Sequence, residues 1–332
     1  MKTDVLTISP GAPEADRIAC AAEVLQRGQL VAFPTETVYG LGANALDSDA
    51  VARIFEAKGR PAFNPVIVHV ADVDAVKQLA AEWPDTATQL AERFWPGPLT
   101  LVVKKAARIP DIVTAGGLTV GIRVPAHPVA LALLKEAGVP VAAPSANRST
   151  EVSPTRAEHV LKGLDGRIAM VLDGGPTTGG IESTVLDLSR EIPRLLRPGL
   201  ISAEQIEEVI GPIVRLKERE SGDSPLPSPG LMRRHYSPQA KVEMVVDSGR
   251  QRVEELVANR VSVGWMPMGH NHVPGAETRP MPSEAHAYAA QLYSTLHALD
   301  EAGVNRIIIQ RPPNEPEWLA VIDRLTRAAS DE

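Results

Sequence analysis

The chain has 332 residues, 44% of them apolar and 23% charged, with a formal net charge of −7. That is too long for one typical small domain and ordinary for a globular protein with a large core. The acidic balance and the 4% aromatic content argue against a chain that grips nucleic acid through a basic face or a stacking platform, while a local cationic cluster for an anionic small ligand stays compatible with it.

In chain order, the first residues, MKTDVLTISPGAPEAD, carry acids and prolines and no apolar core of signal-peptide length. No run approaches the roughly 20 apolar residues of a membrane span, so a cytoplasmic protein without a membrane partner is expected. Residues 14 to 27 predict a helix stopped by Gly28, in which the single cysteine, Cys20, reads as a small buried residue; neither an intrachain disulfide nor a cysteine-built zinc site is possible. A strand at 29 to 33 leads into a Thr-, Gly- and Asn-rich loop at 34 to 46. Ser48 can cap a helix to about Ala57, ended by Gly59. A strand at 66 to 70 follows, then helices at about 72 to 80 and 85 to 94 and the rigid turn WPGP before the strand LTLVV. Further strands are expected at 120 to 124 and 139 to 143, with a helix at 127 to 137 between them. Ser153-Pro154 reads as an N-cap with proline at the first helical position, opening a helix to about Leu164. Strands at 168 to 172, 184 to 188 and 194 to 197 and a helix at 202 to 210 complete a first domain. Some neighbouring elements are strand and strand, which favours a mixed α/β sheet over a purely parallel one.

KERESGDSPLPSPG, residues 217 to 230, reads as a linker. KVEMVV, RVSVGWM and RIIIQ beyond it are strands of a small parallel α/β domain near 240 to 330.

Several apolar strands run straight into polar residues at their carboxyl ends: Thr35-Glu36-Thr37, His69, Arg123, Ser145-Ala146-Asn147 and Arg197. Ligands of open α/β sheets sit outside such ends, so these sets mark a candidate site. Lys58, Arg60 and Arg197 have the chemistry of a phosphate grip, although Lys58 and Arg60 equally suit a helix C-terminus. Arg123, closing a buried strand, needs an anionic partner, either a ligand carboxylate or a structural acid. His69 is a core histidine or a ligand contact. There is no HEXXH and no second histidine at metal-ligand spacing, so no protein-held metal is expected. GLGANA matches the loose dinucleotide fingerprint only weakly, because PTETVY separates it from its strand. GGPTTGGIEST, residues 174 to 184, delivers Ser183 and Thr184 on a glycine-rich loop that either admits a ligand or is plain surface. No G-x-S-x-G elbow supports covalent catalysis by Ser183 or Ser145.

Together, FPTETVYGLGANA (33–45), KGRPAFNPVIVHV (58–70), WPGPLTLVV (95–103), VGIRVPAHPVA (120–130), VPVAAPSAN (139–147), SPTRAEHV (153–160), GGIESTVLDL (179–188) and LLRPG (195–199) resemble the YrdC-like threonylcarbamoyl-AMP synthases. These segments tile residues 20 to 210. SPGLMRRHYSP (228–238) resembles the linker of the long two-domain form, with RRHY where K-x-R/K-H-Y is expected.

The resemblance implies a mixed, twisted sheet with a concave ligand cavity over residues 1–213, a linker or lid over the active site at 214–239, and a Rossmann-like α/β domain at 240–332. It implies an enzyme, a nucleotidyltransferase. Its reaction joins L-threonine, bicarbonate or CO2, and ATP into L-threonylcarbamoyl-adenylate and pyrophosphate. A threonylcarbamoyl transferase complex would then modify tRNAs reading codons that begin with A. Thr35, His69, Arg123 and Ser183 are expected at threonine, with Arg123 on its carboxylate. Lys58, Arg60, Thr114, Ser145, Asn147, Ser153, Arg197 and Tyr236 are expected at ATP, with Mg2+ arriving on the nucleotide and no protein nucleophile. Weak or no direct nucleic-acid binding is expected. The competing readings are an RNA-binding or ribosome-assembly module without catalysis, and a carbamoyl-transfer domain working from carbamoyl phosphate.

Overall fold

The structure, a computed structural model, describes residues 2–61, 63–215 and 236–330. The linker reading at 217 to 230, and most of the lid at 214 to 239, lie outside those residues. The chain divides into two units. One comprises Met1–Ser149, Pro154–Thr178 and Glu182–Leu231; the other comprises Thr150–Ser153, Gly179–Ile181 and Met232–Glu332.

The strands of the first unit are β1 (Asp4–Thr7), β2 (Val31–Pro34), β3 (Tyr39–Asn44), β4 (Val68–His69), β5 (Leu99–Lys104), β6 (Thr119–Arg123), β7 (Val141–Ala142), β8 (Met170–Asp173), β9 (Thr184–Asp187), β10 (Arg194–Arg197) and β11 (Val214–Arg215). They form one mixed sheet in the order β1-β8-β2-β3-β7-β4-β6-β5-β9-β10-β11. Successive residues of a strand point to opposite faces, and both faces are buried. Ala32 and Ala142 join one core cluster, while Val31, Phe33, Val141 and Ala143 join another. The second cluster is closed by the helices Ala15–Gln26 and Pro128–Ala137, through Ile18, Leu25, Val129 and Leu133. The helices Ser48–Lys58, Asp85–Phe94, Ala157–Leu164 and Ala203–Ile210 contribute to the first.

Several local expectations change. The segment read as a loop at 34 to 46 contains β3. Its Tyr39, Leu41 and Ala43 face the core. On the other face Gly42 lets its neighbours close in, since a Cβ there would lie 2.8 Å from Val141 and 2.9 Å from Phe33. Gly42 is therefore a packing device within a strand, not a loop marker. Asp47, not Ser48, caps the next helix, accepting from the amides of Asp49 and Ala50; Gly59 ends it in the left-handed region, φ 61°. Ser153-Pro154 does not open the next helix. The helix begins at Ala157, and the Pro154 carbonyl accepts from the Tyr39 amide at 2.9 Å. Cys20 is exposed, not buried. β1 and the short helix Asp111–Thr114, of four residues each, are too short to display a period.

The second unit holds β12 (Lys241–Val245), β13 (Val263–Met266), β14 (Glu277–Thr278) and β15 (Arg306–Gln310), all parallel, in the order β12-β15-β13-β14. Ile307, Ile308 and Ile309 are buried on both faces of the central strand, as a parallel sheet covered by helices requires.

Candidate active site

In the first unit, β2 and β7 run one way and β4, β6 and β10 the other, as the pairings through β3, β5 and β9 require. The carboxyl ends singled out in the sequence therefore do not share one edge, unlike those of an open parallel sheet. Two loops join Thr35, Thr37, Arg123, Ser183 and Arg197 into one connected group, while Ser145 and Asn147 gather around Lys58 in a second.

The first is the PTET loop after β2. Arg123, at the end of β6 and 3% exposed, donates from Nη1 to Thr37 Oγ1 at 3.0 Å. Thr35 Oγ1 lies 2.7 Å from Thr37 Oγ1 and donates to the Val38 carbonyl at 2.6 Å. A directed chain results, running from guanidinium to Thr37 to Thr35 to backbone. The second is WPGP. Its Gly97 carbonyl accepts from Arg123 Nε at 3.1 Å, and its Pro98 carbonyl accepts from the Thr184 amide at 2.9 Å. One rigid turn thus links the arginine to the Ser183 loop. Gly97 must be glycine, because a Cβ would lie 2.1 Å from the Phe94 carbonyl.

Arg123 Nη2 lies 2.7 Å from Glu36 Oε1. The two are close enough to be an ion pair, yet neither carboxylate oxygen nor Nη2 has a hydrogen-bond partner of good geometry among the described residues. The structural-acid reading of Arg123 therefore has its candidate in Glu36.

His69 is buried and paired in register with Arg123 across β4 and β6. Its ring meets Phe33 edge-on at 6.4 Å, and its Nδ1 has no partner among the described residues. Burial, helped by the Arg123 charge, pulls its pKa down to about 3. Ser183 Oγ lies 2.8 Å from Thr100 Oγ1 and accepts from Arg197 Nη2 at 3.1 Å, while Arg197 Nε donates to the Ser183 carbonyl at 3.0 Å. Arg197 thus braces Ser183.

The second group centres on Lys58, 1% exposed at the end of its helix. Its ammonium donates to the Ser145 carbonyl at 2.7 Å, to Asn147 Oδ1 at 3.3 Å and to the Asn147 carbonyl. Ser145 Oγ donates to Asn147 Oδ1 at 2.5 Å. Lys58 is therefore no surface decoration of a helix end. Arg60 donates to the carbonyls of Asn64 and Pro65 at 3.2 and 2.8 Å, and Thr114 to the Gly117 carbonyl at 2.8 Å.

Ser153 and Tyr236 belong to the second unit. The Ser153 carbonyl accepts from His297 Nε2 at 3.1 Å. Tyr236 stacks on Tyr293 at 5.6 Å, with the fully buried Arg324 over its ring at 5.2 Å. Sequence reasoning had Glu36 and Thr37 in view within the Thr35-Glu36-Thr37 set without giving either a role, and it missed Gly97 and Thr100 as site builders. A charged residue between two threonines after a buried strand was the available signal for the first two. Among the described residues no cluster of His, Cys, Asp or Glu could hold a metal, and no helix is long and apolar enough to cross a membrane.

A family model described as "Telomere recombination" matches residues 23–199, and one described as "Threonylcarbamoyl-AMP synthase, C-terminal domain" matches residues 201–330. The threonylcarbamoyl-AMP synthase of Bacillus subtilis is 46% identical over 94% of this chain and 93% of its own length. That of Pyrococcus abyssi is 45% identical over 94% of each. This chain belongs to the threonylcarbamoyl-AMP synthase family. A solved structure, Pyrococcus abyssi Sua5 complexed with L-threonine, matches with a TM-score of 0.92 and 43% identity, covering 98% of both chains. Membership in the two-domain form of this enzyme family sets aside the non-catalytic RNA-binding reading.

Proposed function

We infer that the chain joins L-threonine, bicarbonate or CO2, and ATP into L-threonylcarbamoyl-adenylate with release of pyrophosphate, for threonylcarbamoyladenosine in tRNAs reading codons that begin with A. The observation that supports this most is Arg123: a buried guanidinium held by Thr37 and Gly97, with Nη2 turned to a carboxylate, in a chain of this family. Such a fork suits the carboxylate of an amino acid.

The chemistry asks for positioning more than for a nucleophile. The threonine amine captures the one-carbon unit as a carbamate. A carbamate oxygen then attacks the α-phosphorus and pyrophosphate leaves. Fixed cations that meet developing phosphate charge, and exclusion of water from a labile carbamate, are what a protein can add. In this reading Arg123, Thr35, His69 and Ser183 hold threonine, the neutral His69 ring serving as a positioning group. Lys58, Arg60, Arg197, Thr114, Ser145 and Asn147 serve ATP. Lys58, Ser145 and Asn147 share one hydrogen-bonded cluster, which supports a common role, and Arg197 braces Ser183. Magnesium enters as part of the nucleotide substrate. A threonylcarbamoyl transferase complex in the cytoplasm takes the product, and tRNA itself is not gripped by this chain.

The test is isotopic. With threonine, Mg-ATP and 13C-bicarbonate, the label is expected on the threonine nitrogen in an adenylate of the right mass. An unlabelled adenylate, or label without adenylate, contradicts the reaction.

A further inference from the structure

We propose that Glu36 is the receptor for the ammonium group of the amino-acid substrate, and that the Glu36–Arg123 pair is a charge-matched socket which the zwitterion splits. The inference rests on the reading that Arg123 takes the threonine carboxylate.

Three observations carry it. First, both Glu36 carboxylate oxygens are shielded from solvent and have no hydrogen-bond donor among the described residues. A buried carboxylate without donors is costly, and a single imperfect ion pair offsets that cost poorly. Second, the pair is incomplete on the other side as well. Arg123 spends Nε on Gly97 and Nη1 on Thr37 at good geometry, but Nη2, 2.7 Å from Glu36 Oε1, makes no hydrogen bond. The two groups therefore neutralise each other in charge while keeping their hydrogen-bonding capacity in reserve. Third, Glu36 lies on the loop that also carries Thr35 and Thr37, and its partner Arg123 is paired in register with His69.

An α-amino acid presents a carboxylate and an ammonium on adjacent carbons. Its carboxylate replaces Glu36 as the partner of Nη2, and its ammonium supplies the donors that the Glu36 oxygens lack. Net charge in the buried site does not change on binding, so the desolvation that defeats a lone buried charge is largely avoided. An acid without an amine would have to displace Glu36 from Arg123 and leave it unpaired. Glu36 thus selects amino acids against other hydroxy acids.

The experiment is isothermal titration of the full chain with L-threonine, with 3-hydroxybutyrate, which lacks only the amine, and with ATP. Wild type and Glu36→Gln are compared. Loss of a charge-assisted hydrogen bond predicts about 10- to 100-fold weaker threonine binding in Glu36→Gln. 3-Hydroxybutyrate binding is expected to tighten relative to wild type, because nothing competes for Arg123, and ATP affinity to stay unchanged. Glu36→Asp, which keeps the charge, is expected to recover part of the threonine affinity and guards against a folding defect. Threonine affinity unchanged in Glu36→Gln, or equal losses for both acids, overturns the proposal. If Arg123→Ala binds threonine as wild type does, the carboxylate reading fails, whatever Glu36 does.

Discussion

His69 and Arg123 occupy paired positions on adjacent parallel strands, and this neighbourhood fixes the charge state of the histidine. Burial is the larger cause and the arginine the smaller one, and together they hold the pKa at about 3. The ring is therefore neutral throughout the physiological range and cannot contribute a titrating proton there. NMR of the His69 ring is expected to show no titration between about pH 5 and 8, against an ordinary histidine near 6.5; a midpoint near 6.5 contradicts this. The sign for stability follows from linkage. The unfolded chain binds the proton and the folded chain does not, so the neutral ring's contribution is fully present above the unfolded pKa and is lost as pH falls from about 6.5 toward 3. His69→Gln is expected to flatten that part of the stability profile.

Lys58 holds the loop that carries Ser145 and Asn147. Lys58→Met removes the donor from three acceptors at once. Loss of hydrogen bonds from a buried charge of this kind costs about 1–3 kcal/mol, to be read by denaturant unfolding. ATP affinity is expected to fall as well. Stability and ATP affinity both at wild-type values would mean that the loop does not depend on Lys58.

Gly199 follows β10, where a Cβ would stand 2.3 Å from the Thr184 amide nitrogen and 2.6 Å from the Ser183 carbonyl carbon. Those are backbone atoms, so relief requires moving the loop that presents Ser183. Gly199→Ala is expected to cost about 1–3 kcal/mol, as overpacking does, and to weaken threonine binding. An unchanged melting temperature with normal threonine affinity would contradict the contact.

Arg123→Ala is expected to raise the KM for threonine steeply while the KM for ATP changes little, since the guanidinium is assigned to the amino-acid carboxylate. Steady-state kinetics with each substrate varied in turn checks this. An unchanged threonine KM refutes the assignment.

Much of the site was legible in the sequence because charged residues at the ends of apolar strands are rare and need a reason. Arg123 is of that kind; the uncharged SAN loop was noted beside it as a polar strand end, and Lys58 as a cation at a helix end. Less legible was anything decided by a contact distant in sequence. β3 looked like a loop because the need for its Gly42 is set by Phe33 and Val141. Ser153-Pro154 looked like a cap because nothing local shows that the Pro154 carbonyl is taken by Tyr39. Glu36 was in view within PTET but unassigned, since its meaning depends on Arg123, 87 positions later. The reach of the PTET and WPGP loops likewise follows from mixed strand directions, which periodicity alone does not reveal.

The most direct measurement of the central claim is pyrophosphate release by the purified full chain in Mg-ATP and bicarbonate, with and without L-threonine. Release is expected only when threonine is present, in step with formation of threonylcarbamoyl-adenylate. Pyrophosphate appearing equally without threonine would contradict it.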